Sequence, residues 1–154
     1  MELKVKIKKL DEKAVIPQYA HDSDAGLDFT AVSYEYKPNI DCHVYGTGLA
    51  VEIPEGFVGL CFPRSSNRKT EAYLTNSVGV IDSGYRGEIM VSFKNRDKLT
   101  KDNTSEIPEL VKPYEIGDRV MQMIIIPYPK INFVEVEELS DSDRGEGGHG
   151  STGR

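Results

Sequence analysis

The sequence predicts an all-β fold, a sandwich or jelly roll. Short segments of alternating or β-branched apolar residues recur along the chain, and Gly, Pro, Asn or Asp bounds each of them. No segment repeats its apolar residues with the period of a helix, and turn signals follow one another too closely for the helical crossovers of a parallel sheet. With 154 residues, one domain is the default expectation.

Six segments have the texture of strands. The first is the clearest, because Leu3, Val5 and Ile7 alternate with lysines and so give a strand one apolar and one charged face. The segment after Pro63-Arg64-Ser65-Ser66 is equally compatible with a loop and with a short helical turn, since serine is a good N-cap. The other predicted strands are Val51–Ile53, Val58–Phe62, Ile89–Phe93, Val120–Ile126 and Phe133–Val136.

Charge and composition exclude several classes of function. Asp and Glu number 25 against 19 Lys and Arg, a net charge of −6, so nothing favours direct nucleic acid binding. The longest apolar run, Met123–Ile126, is far below the roughly 18 residues that a membrane span needs, and the first residues do not resemble a signal peptide. We therefore expect a cytoplasmic protein without a membrane partner. Cys42 and Cys61 lack metal-binding spacing and are expected to be small buried hydrophobes.

Two segments depart from the strand texture. Residues 99–113 are polar and predict a surface loop between two strands. Residues 140–154 contain five glycines and no Val, Ile, Leu, Phe or Tyr, so they cannot bury enough apolar surface to order themselves. The predicted organisation is a β domain over residues 1–139 followed by a flexible glycine-rich arm over residues 140–154.

The arm also carries groups that suit the binding of successive phosphates. Arg144 and Arg154 provide guanidinium groups, Ser151 and Thr152 provide hydroxyls, and the glycines free the backbone. The arm is not a P-loop, because Ser151 stands where that motif requires Lys. Taken alone, the segment favours a plain flexible terminus over a phosphate clamp.

Several polar residues are ambiguous when taken singly. Asp28 and Asp82 lie among apolar residues and glycines, where a carboxylate caps a turn more often than it serves as a base or a metal contact. Asn76 suits a turn as well as a functional site, and Tyr85 suits an ordinary apolar core as well as a functional site. Gln122 is a lone amide in an apolar strand, and we expect it on a solvent-facing or ligand-facing side, because burial without a partner is costly.

The order and spacing of five segments nevertheless resemble the five motifs of the trimeric dUTP pyrophosphatase (dUTPase) family. The resemblance spans residues 25 to 153. It implies a jelly-roll-like β-sandwich, the dUTPase-like β-clip, which forms a homotrimer with shared active sites that the C-terminal arm closes. The five segments, in motif order, are Ala25–Ala31, Pro63–Lys69, Asn76 with Gly79–Glu88, Gly117–Gln122 and Arg144–Gly153.

The resemblance implies hydrolysis of dUTP to dUMP and pyrophosphate, by attack of water on the α-phosphorus, with Mg2+ bound to the triphosphate. It assigns Asp82 to the orientation and deprotonation of the water, and Asp28 to the magnesium shell through water. The implied phosphate-binding residues are Arg64, Ser65, Ser66, Gln122, Arg144, Ser151 and Thr152. The implied residues around uracil and deoxyribose are Asn76, Gly79, Val80, Ile81, Tyr85, Met90 and His149.

The chain departs from the family pattern in two places. His149 stands where the family usually has Phe, and we expect arm closure to weaken when this imidazole is protonated. Ser66-Asn67-Arg68 stands where the family commonly has Gly-Leu-Ala, which puts the backbone geometry beside Ser65 in question.

Two alternative functions remain on sequence grounds. The dCTP deaminase family resembles this chain in fold and in its Pro-Arg-Ser-Ser motif, but it carries a Glu at the position of Ser92. The other alternative is a non-catalytic protein that binds a partner in a nucleotide-dependent way. The apparently complete set of catalytic residues argues against it, although the sequence leaves room for an additional protein partner.

Overall fold

The structure is a computed structural model that describes residues 2–95 and 112–148. Within these ranges no helix is long and apolar enough to cross a membrane. The predicted loop at 99–113 lies outside the described residues except for Lys112 and Pro113. A short 3-10 helix spans Ser65–Lys69, and the strands are β1 (Lys6–Lys9), β2 (Leu27–Thr30), β3 (Ser33–Lys37), β4 (Cys42–Gly46), β5 (Leu49–Glu52), β6 (Phe57–Phe62), β7 (Ala72–Leu74), β8 (Gly79–Ile81), β9 (Met90–Asn95) and β10 (Arg119–Pro127).

The described strands form one small sheet and two large ones. β1 pairs with β5, and the four-stranded sheets have the orders β2-β10-β6-β8 and β3-β4-β9-β7. All pairings between these strands are antiparallel, and most neighbours are distant in sequence. Such crossing connections between two antiparallel sheets are typical of jelly rolls. The prediction of an all-β, jelly-roll-like fold is confirmed.

Both large sheets contribute to one apolar core. Phe29 and Met121 come from one sheet, Tyr45 and Phe93 come from the other, and each is at most 2% exposed. Burial of a side chain of this size stabilises a fold by roughly 1.5–3 kcal/mol relative to exposure. One shared core therefore holds the two large sheets together.

Both cysteines are buried and free, as expected from their spacing. Cys61 is 2% exposed, and its burial raises the pKa of its thiol to about 12. The Cys61 side chain is therefore a neutral, apolar group at neutral pH.

The predicted strand at Phe133–Val136 is wrong. These residues form no strand, and the side chains of Phe133 and Val134 are 93% and 75% exposed. Their apolar, β-branched composition suits a strand, but a strand also needs a neighbour that pairs with its backbone groups. Among the described residues no other strand pairs with this segment.

Five observed strands lie outside the predicted set: β2, β3, β4, β7 and β8. The apolar pattern does not identify β3 and β4, because the residues that pair across them are aromatic: Tyr34 lies opposite Tyr45, and Tyr36 lies opposite His43. Such cross-strand pairs stabilise a sheet as apolar alternation does. At the N-terminus, Leu3 and Val5 are half-buried, but β1 begins only at Lys6 and all its residues are exposed, so the predicted half-buried face does not extend to Ile7, which is 36% exposed.

The helical turn after Pro63 is present, but it begins earlier than a serine cap would set it. The 3-10 helix starts at Ser65, and Arg64 is its N-cap in an extended conformation, without a side-chain capping bond. It ends at Lys69 because the chain extends again at Thr70 and enters β7. This places Arg64 at the junction between β6 and the helix.

Candidate functional site

One group of predicted site residues surrounds Asp28 on β2. Arg64 donates to its carboxylate twice, from Nε to Oδ1 at 2.7 Å and from Nη2 to Oδ2 at 2.9 Å. Arg119, the first residue of β10, donates from Nη1 to Oδ2 at 3.2 Å. One carboxylate thus lies between two guanidinium groups, and the three side chains together keep a formal charge of +1. We call Asp28, Arg64 and Arg119 the anion cluster, because the net charge suits a bound anion.

Strand register brings these distant segments together. β2 and β6 flank β10, so that Gln122 lies opposite both Asp28 and Phe62. Gln122 Nε2 donates to the Pro63 carbonyl at 3.1 Å. A Cβ on Gly26 would lie 2.6 Å from Gln122 Oε1, so a larger residue there would displace the Gln122 carboxamide. Gln122 is half-buried and partnered, and its expected solvent-facing or ligand-facing position stays a prediction.

The Asp28 carboxylate accepts its hydrogen bonds from arginine side chains and not from the backbone of a turn, and the Arg64 side chain does not lie on the open surface. Their side chains are 25% and 21% exposed, whereas that of Arg119 is 56% exposed. The Ser66 hydroxyl accepts a further bond from Arg64 Nη1 at 3.2 Å, and Ser65 is exposed beside it. The Arg64 guanidinium is therefore held in one orientation, with hydroxyl groups at its side.

The described residues do not fit a metal held directly by protein side chains. No group of three or more His, Cys, Asp or Glu residues among them lies close enough to hold an ion. Both carboxylate oxygens of Asp28 already accept guanidinium hydrogen bonds, and these cations repel another cation. The arrangement does not offer Asp28 as a direct Mg2+ ligand, and the expected contact through water stays a prediction.

A second group of predicted site residues lines a pocket of about 130 Å³ between the two large sheets. This volume suits one small ring such as a pyrimidine. Cys61 lies on the neighbouring strand opposite Gly79, and a Cβ on Gly79 would lie 3.1 Å from the Cys61 Cβ. The wall beside Gly79 is therefore tight and apolar. The predicted residues in the lining are Asn76, Gly79, Val80, Ile81 and Met90, and Ser92 lies with them.

The pocket offers backbone hydrogen-bonding groups as well as apolar surface. Within the described fold, β8 is an edge strand that pairs only with β6. An edge strand leaves N–H and C=O groups unpaired along its free side. The turn before β8 is tight, since the Val78 N–H donates to the Asn76 carbonyl at 2.6 Å and Ser77 has a φ of 59°. These fixed backbone groups can match the polar edge of a pyrimidine.

Asp82 and Tyr85 follow β8 directly. Asp82 is exposed, and its carbonyl accepts the Tyr85 N–H at 3.0 Å, which forms a turn. Tyr85 is 40% exposed and is not a core residue. Its ring covers Gly87, and its hydroxyl donates to the Glu88 carbonyl at 3.0 Å. An exposed carboxylate and an exposed aromatic ring thus lie at the end of the pocket strand.

One chain does not bring every predicted residue together. No member of the anion cluster is among the residues that line the pocket. Arg144 bonds within its own segment, where its Nε donates to the Gly147 carbonyl at 2.7 Å. His149, Ser151 and Thr152 lie outside the described residues. The pocket, the anion cluster and Arg144 are therefore separate features of the described chain.

Sequence reasoning missed three residues that the structure places at or beside the anion cluster. Arg119 contacts Asp28 directly, but in the sequence it is one charged residue at the start of a strand. Asn67 and Tyr114 form a hydrogen bond 2.8 Å long beside Arg64. The only sequence signal for Asn67 is its departure from the family pattern, and nothing local distinguishes Tyr114.

Comparisons with known proteins give matches along nearly the whole chain. A family model described as dUTPase matches residues 12–153. The deoxyuridine 5'-triphosphate nucleotidohydrolase of Crocosphaera subtropica is 39% identical over 152 residues, which cover 98% of this chain and 99% of that protein.

Two solved structures extend the comparison to the fold. A variant dUTPase of Staphylococcus bacteriophage 80alpha with dUpNHpp matches with a TM-score of 0.80 and 30% identity, over 98% of this chain and 99% of that one. A variant dUTPase from phage phi11 of S. aureus, described with the coordination of a structural Mg(II) ion, matches with a TM-score of 0.71 and 26% identity, over 88% and 98%. Since the family model spans most of the sequence and the relative from Crocosphaera is matched along its whole length, this chain belongs to the dUTPase family.

Proposed function

We propose that this protein hydrolyses dUTP to dUMP and pyrophosphate in the cytoplasm. The observation that carries the proposal is the presence of a pyrimidine-sized pocket and a cationic cluster in a chain of the dUTPase family. The pocket suits the base, and the anion cluster suits the triphosphate. The activity would limit uracil incorporation into DNA and supply dUMP for thymidylate synthesis.

In the proposed reaction, water attacks the α-phosphorus, the bond to the bridging oxygen breaks, and pyrophosphate leaves. Asp82 orients the water and accepts its proton, and its exposed carboxylate directly after the pocket strand supports this role. Arg64, Ser65, Ser66 and Gln122 bind phosphate oxygens and fix the in-line geometry. Mg2+ enters on the triphosphate, as part of the substrate.

Selection of uracil follows from the backbone of β8 together with the Asn76 carboxamide. Cytosine would present an amino group where uracil presents a carbonyl, and such a mismatch leaves buried polar groups unpaired. The methyl group of thymine would collide with the tight turn and the wall between Gly79 and Cys61. Tyr85 packs under the deoxyribose, where a 2'-hydroxyl would collide with the ring.

We further propose a homotrimer in which neighbouring chains share each active site. The separation of the pocket, the anion cluster and Arg144 within one chain supports this assembly. So do the exposed side chains of Phe133, Val134 and Leu139 and an apolar groove of about 730 Å³, because large exposed apolar surfaces mark interfaces. The arm from residue 140 onwards closes over the triphosphate with Arg144, Ser151 and Thr152, and with His149 over the uracil.

Product analysis tests the activity directly. The purified protein is incubated with Mg2+ and either dUTP or dCTP, and pyrophosphate, dUMP and ammonia are followed in the same reactions. We expect pyrophosphate and dUMP from dUTP alone. Ammonia from dCTP would indicate a deaminase despite Ser92, and no product from either nucleotide would indicate a binding-only protein.

A further inference from the structure

Asn67 is the centre of a hydrogen-bond network in the short helix after Arg64. Its Nδ2 donates to the Ala72 carbonyl at 2.9 Å, and its Oδ1 accepts from the Tyr114 hydroxyl at 2.8 Å. Its backbone N–H donates to the Arg64 carbonyl at 2.9 Å. Asn67 therefore bonds to the backbone of Arg64 through its own backbone, while its carboxamide bonds to the start of β7 and to Tyr114.

Tyr114 is itself fixed in the core. The Tyr45 hydroxyl accepts the Tyr114 N–H at 3.1 Å and donates to the Tyr114 carbonyl at 2.8 Å. The Tyr114 ring packs against Tyr45 and Phe93, with centroid distances of 6.0 and 5.2 Å, and the residue is 8% exposed. Tyr114 thus extends from the aromatic core to the segment that carries Arg64.

The Tyr114 phenol and the Arg64 guanidinium also lie within electrostatic reach of each other. Burial raises the pKa of Tyr114, and the Arg64 charge acts in the opposite direction. At neutral pH the phenol is protonated and can donate its hydrogen bond to Asn67. The network is therefore intact under the conditions in which Arg64 binds an anion.

We propose that Tyr114 and Asn67 are positioning residues that hold Arg64 for its contact with the triphosphate, a role that rests on the proposed function. Asp28 and Ser66 orient the guanidinium, but they do not fix the backbone from which it extends. Asn67 and Tyr114 fix that backbone. A displacement of about 1 Å at such a contact is enough to weaken binding or slow turnover substantially.

The two polar side chains act as a pair. Where Asn67 stands, the family commonly has Leu, which could not accept a bond from the buried Tyr114 hydroxyl. A buried hydroxyl without an acceptor costs free energy, whereas replacement of both partners by apolar groups is close to neutral. The Tyr114 hydroxyl and the Asn67 carboxamide thus depend on each other, and a variant that replaces both with apolar side chains tests this coupling.

The test compares Tyr114→Phe with Tyr36→Phe as a matched control. Each substitution removes one phenolic hydroxyl that donates to a side-chain oxygen at 2.8 Å, on Asn67 or on Asp41, and Tyr36 lies on β3. Calorimetry gives the Kd of dUpNHpp, and inhibition kinetics give the affinity for deoxyuridine, which has no phosphate. We expect Tyr114→Phe to weaken dUpNHpp binding by about 3- to 10-fold and to change deoxyuridine binding by less than about twofold, while Tyr36→Phe changes neither.

Two further measurements separate positioning from general support of the fold. The Asn67 N–H donates to the Arg64 carbonyl, and the Thr70 N–H donates to the Asn67 carbonyl. We expect hydrogen exchange at these two amides to be faster in Tyr114→Phe than in Tyr36→Phe. The double variant Tyr114→Phe/Asn67→Leu binds dUpNHpp no more weakly than Asn67→Leu alone, because the two residues are coupled.

The outcomes are distinguishable. Equal dUpNHpp affinity in the two single variants, or equal weakening of dUpNHpp and deoxyuridine in Tyr114→Phe, would overturn the positioning role while the proposed function stands. Wild-type protein that neither binds dUpNHpp nor hydrolyses dUTP would overturn the proposed function, and with it the ligand assigned to Arg64.

Discussion

The Asp28 carboxylate and the Arg64 guanidinium form a bidentate ion pair, with donor–acceptor distances of 2.7 and 2.9 Å. The two residues are 36 positions apart, on β2 and just after β6. Both side chains are mostly buried, at 25% and 21% exposure, so water screens their attraction less than that of a surface pair. Asp28 therefore orients Arg64 before any ligand binds.

Replacement of Asp28 by Asn keeps the shape of the side chain and removes its charge. We expect a loss of about 1–3 kcal/mol in the free energy of unfolding, because charge-assisted hydrogen bonds to Arg64 and Arg119 are lost, together with a higher KM for dUTP. Urea denaturation at one fixed protein concentration measures the loss. Asp24→Asn is the control, since it removes an exposed pair with His21, expected to contribute less than about 1 kcal/mol. Equal losses in both variants would contradict the prediction.

Asp82→Asn tests the proposed base. The variant should bind dUpNHpp as the wild type does, because the amide keeps the size of the side chain. Its kcat should fall by at least about 100-fold, since the amide cannot accept a proton from water. Asp22→Asn, at another exposed carboxylate, should leave kcat unchanged. A wild-type rate in Asp82→Asn would mean that the water is activated elsewhere.

Gly79→Ala and Gly84→Ala test the pocket. A methyl group at Gly79 would approach the Cys61 Cβ to 3.1 Å and would lie 3.6 Å from Asn76 Nδ2, while a methyl group at Gly84 would meet nothing within 4 Å. We expect Gly79→Ala to raise the KM for dUTP by about 10-fold or more, because one added methyl in a close-packed wall costs about 1–3 kcal/mol. Gly84→Ala should leave it unchanged. Steady-state kinetics of the two variants decide the question, and similar KM values would place the base outside this pocket.

His43 makes stability depend on pH. The residue is 1% exposed, and its burial lowers the pKa of its imidazole, an effect that the Asp41 carboxylate partly opposes. Its neighbours are the Tyr34 hydroxyl, 3.1 Å from Nδ1, and Asn95, whose Nδ2 lies 3.4 Å from Nε2. Below the unfolded-state pKa of about 6.5 the unfolded chain binds the proton more readily, so this contribution to stability is present above that pH and is lost as the pH falls.

The measurement for His43 is the difference in unfolding free energy between the wild type and His43→Gln at several values from pH 8 to pH 5. We expect the wild type to lose unfolding free energy relative to His43→Gln as the pH falls, because histidine titrates in this range and glutamine does not. Thr47→Ser, at a buried residue whose side chain does not titrate and for which the same subtraction should be flat, is the control. A flat difference for His43 as well would contradict the prediction.

The exposed apolar side chains after β10 test the proposed assembly. Phe133 and Leu139 are 93% and 87% exposed, and we expect Phe133→Ser with Leu139→Ser to weaken the trimer, because these side chains would be buried against a neighbour. Ile40→Ser, at a half-exposed residue of the β3–β4 turn, is the control. Sedimentation equilibrium measures the association of each variant. A double variant that associates as tightly as the wild type would exclude this segment from the interface.

The limits of the sequence are clearest at the two ends of the structure. The alternation of Leu3, Val5 and Ile7 with lysines predicts one half-buried strand face, but only Leu3 and Val5 are half-buried, and they lie before β1, in which Ile7 is exposed. The same local rule fails at Phe133, where the composition suits a strand but no partner strand is present among the described residues. The apolar composition of a segment indicates which side chains it can bury. Whether the segment forms a strand depends on whether a partner strand lies beside it.

The sequence by itself determined the all-β class and the family, since these follow from local periodicity and from motifs in order, and half of the residues that line the pocket are among the predicted site residues. Only the tertiary structure decided that Asp28 meets both Arg64 and Arg119, which lie 36 and 91 positions away, and that Tyr114 supports Asn67. These contacts depend on the register of β2 and β6 against β10 and on the packing of one buried ring. The physical reason is that register and packing are set by the combined burial of all strands, which no single segment encodes.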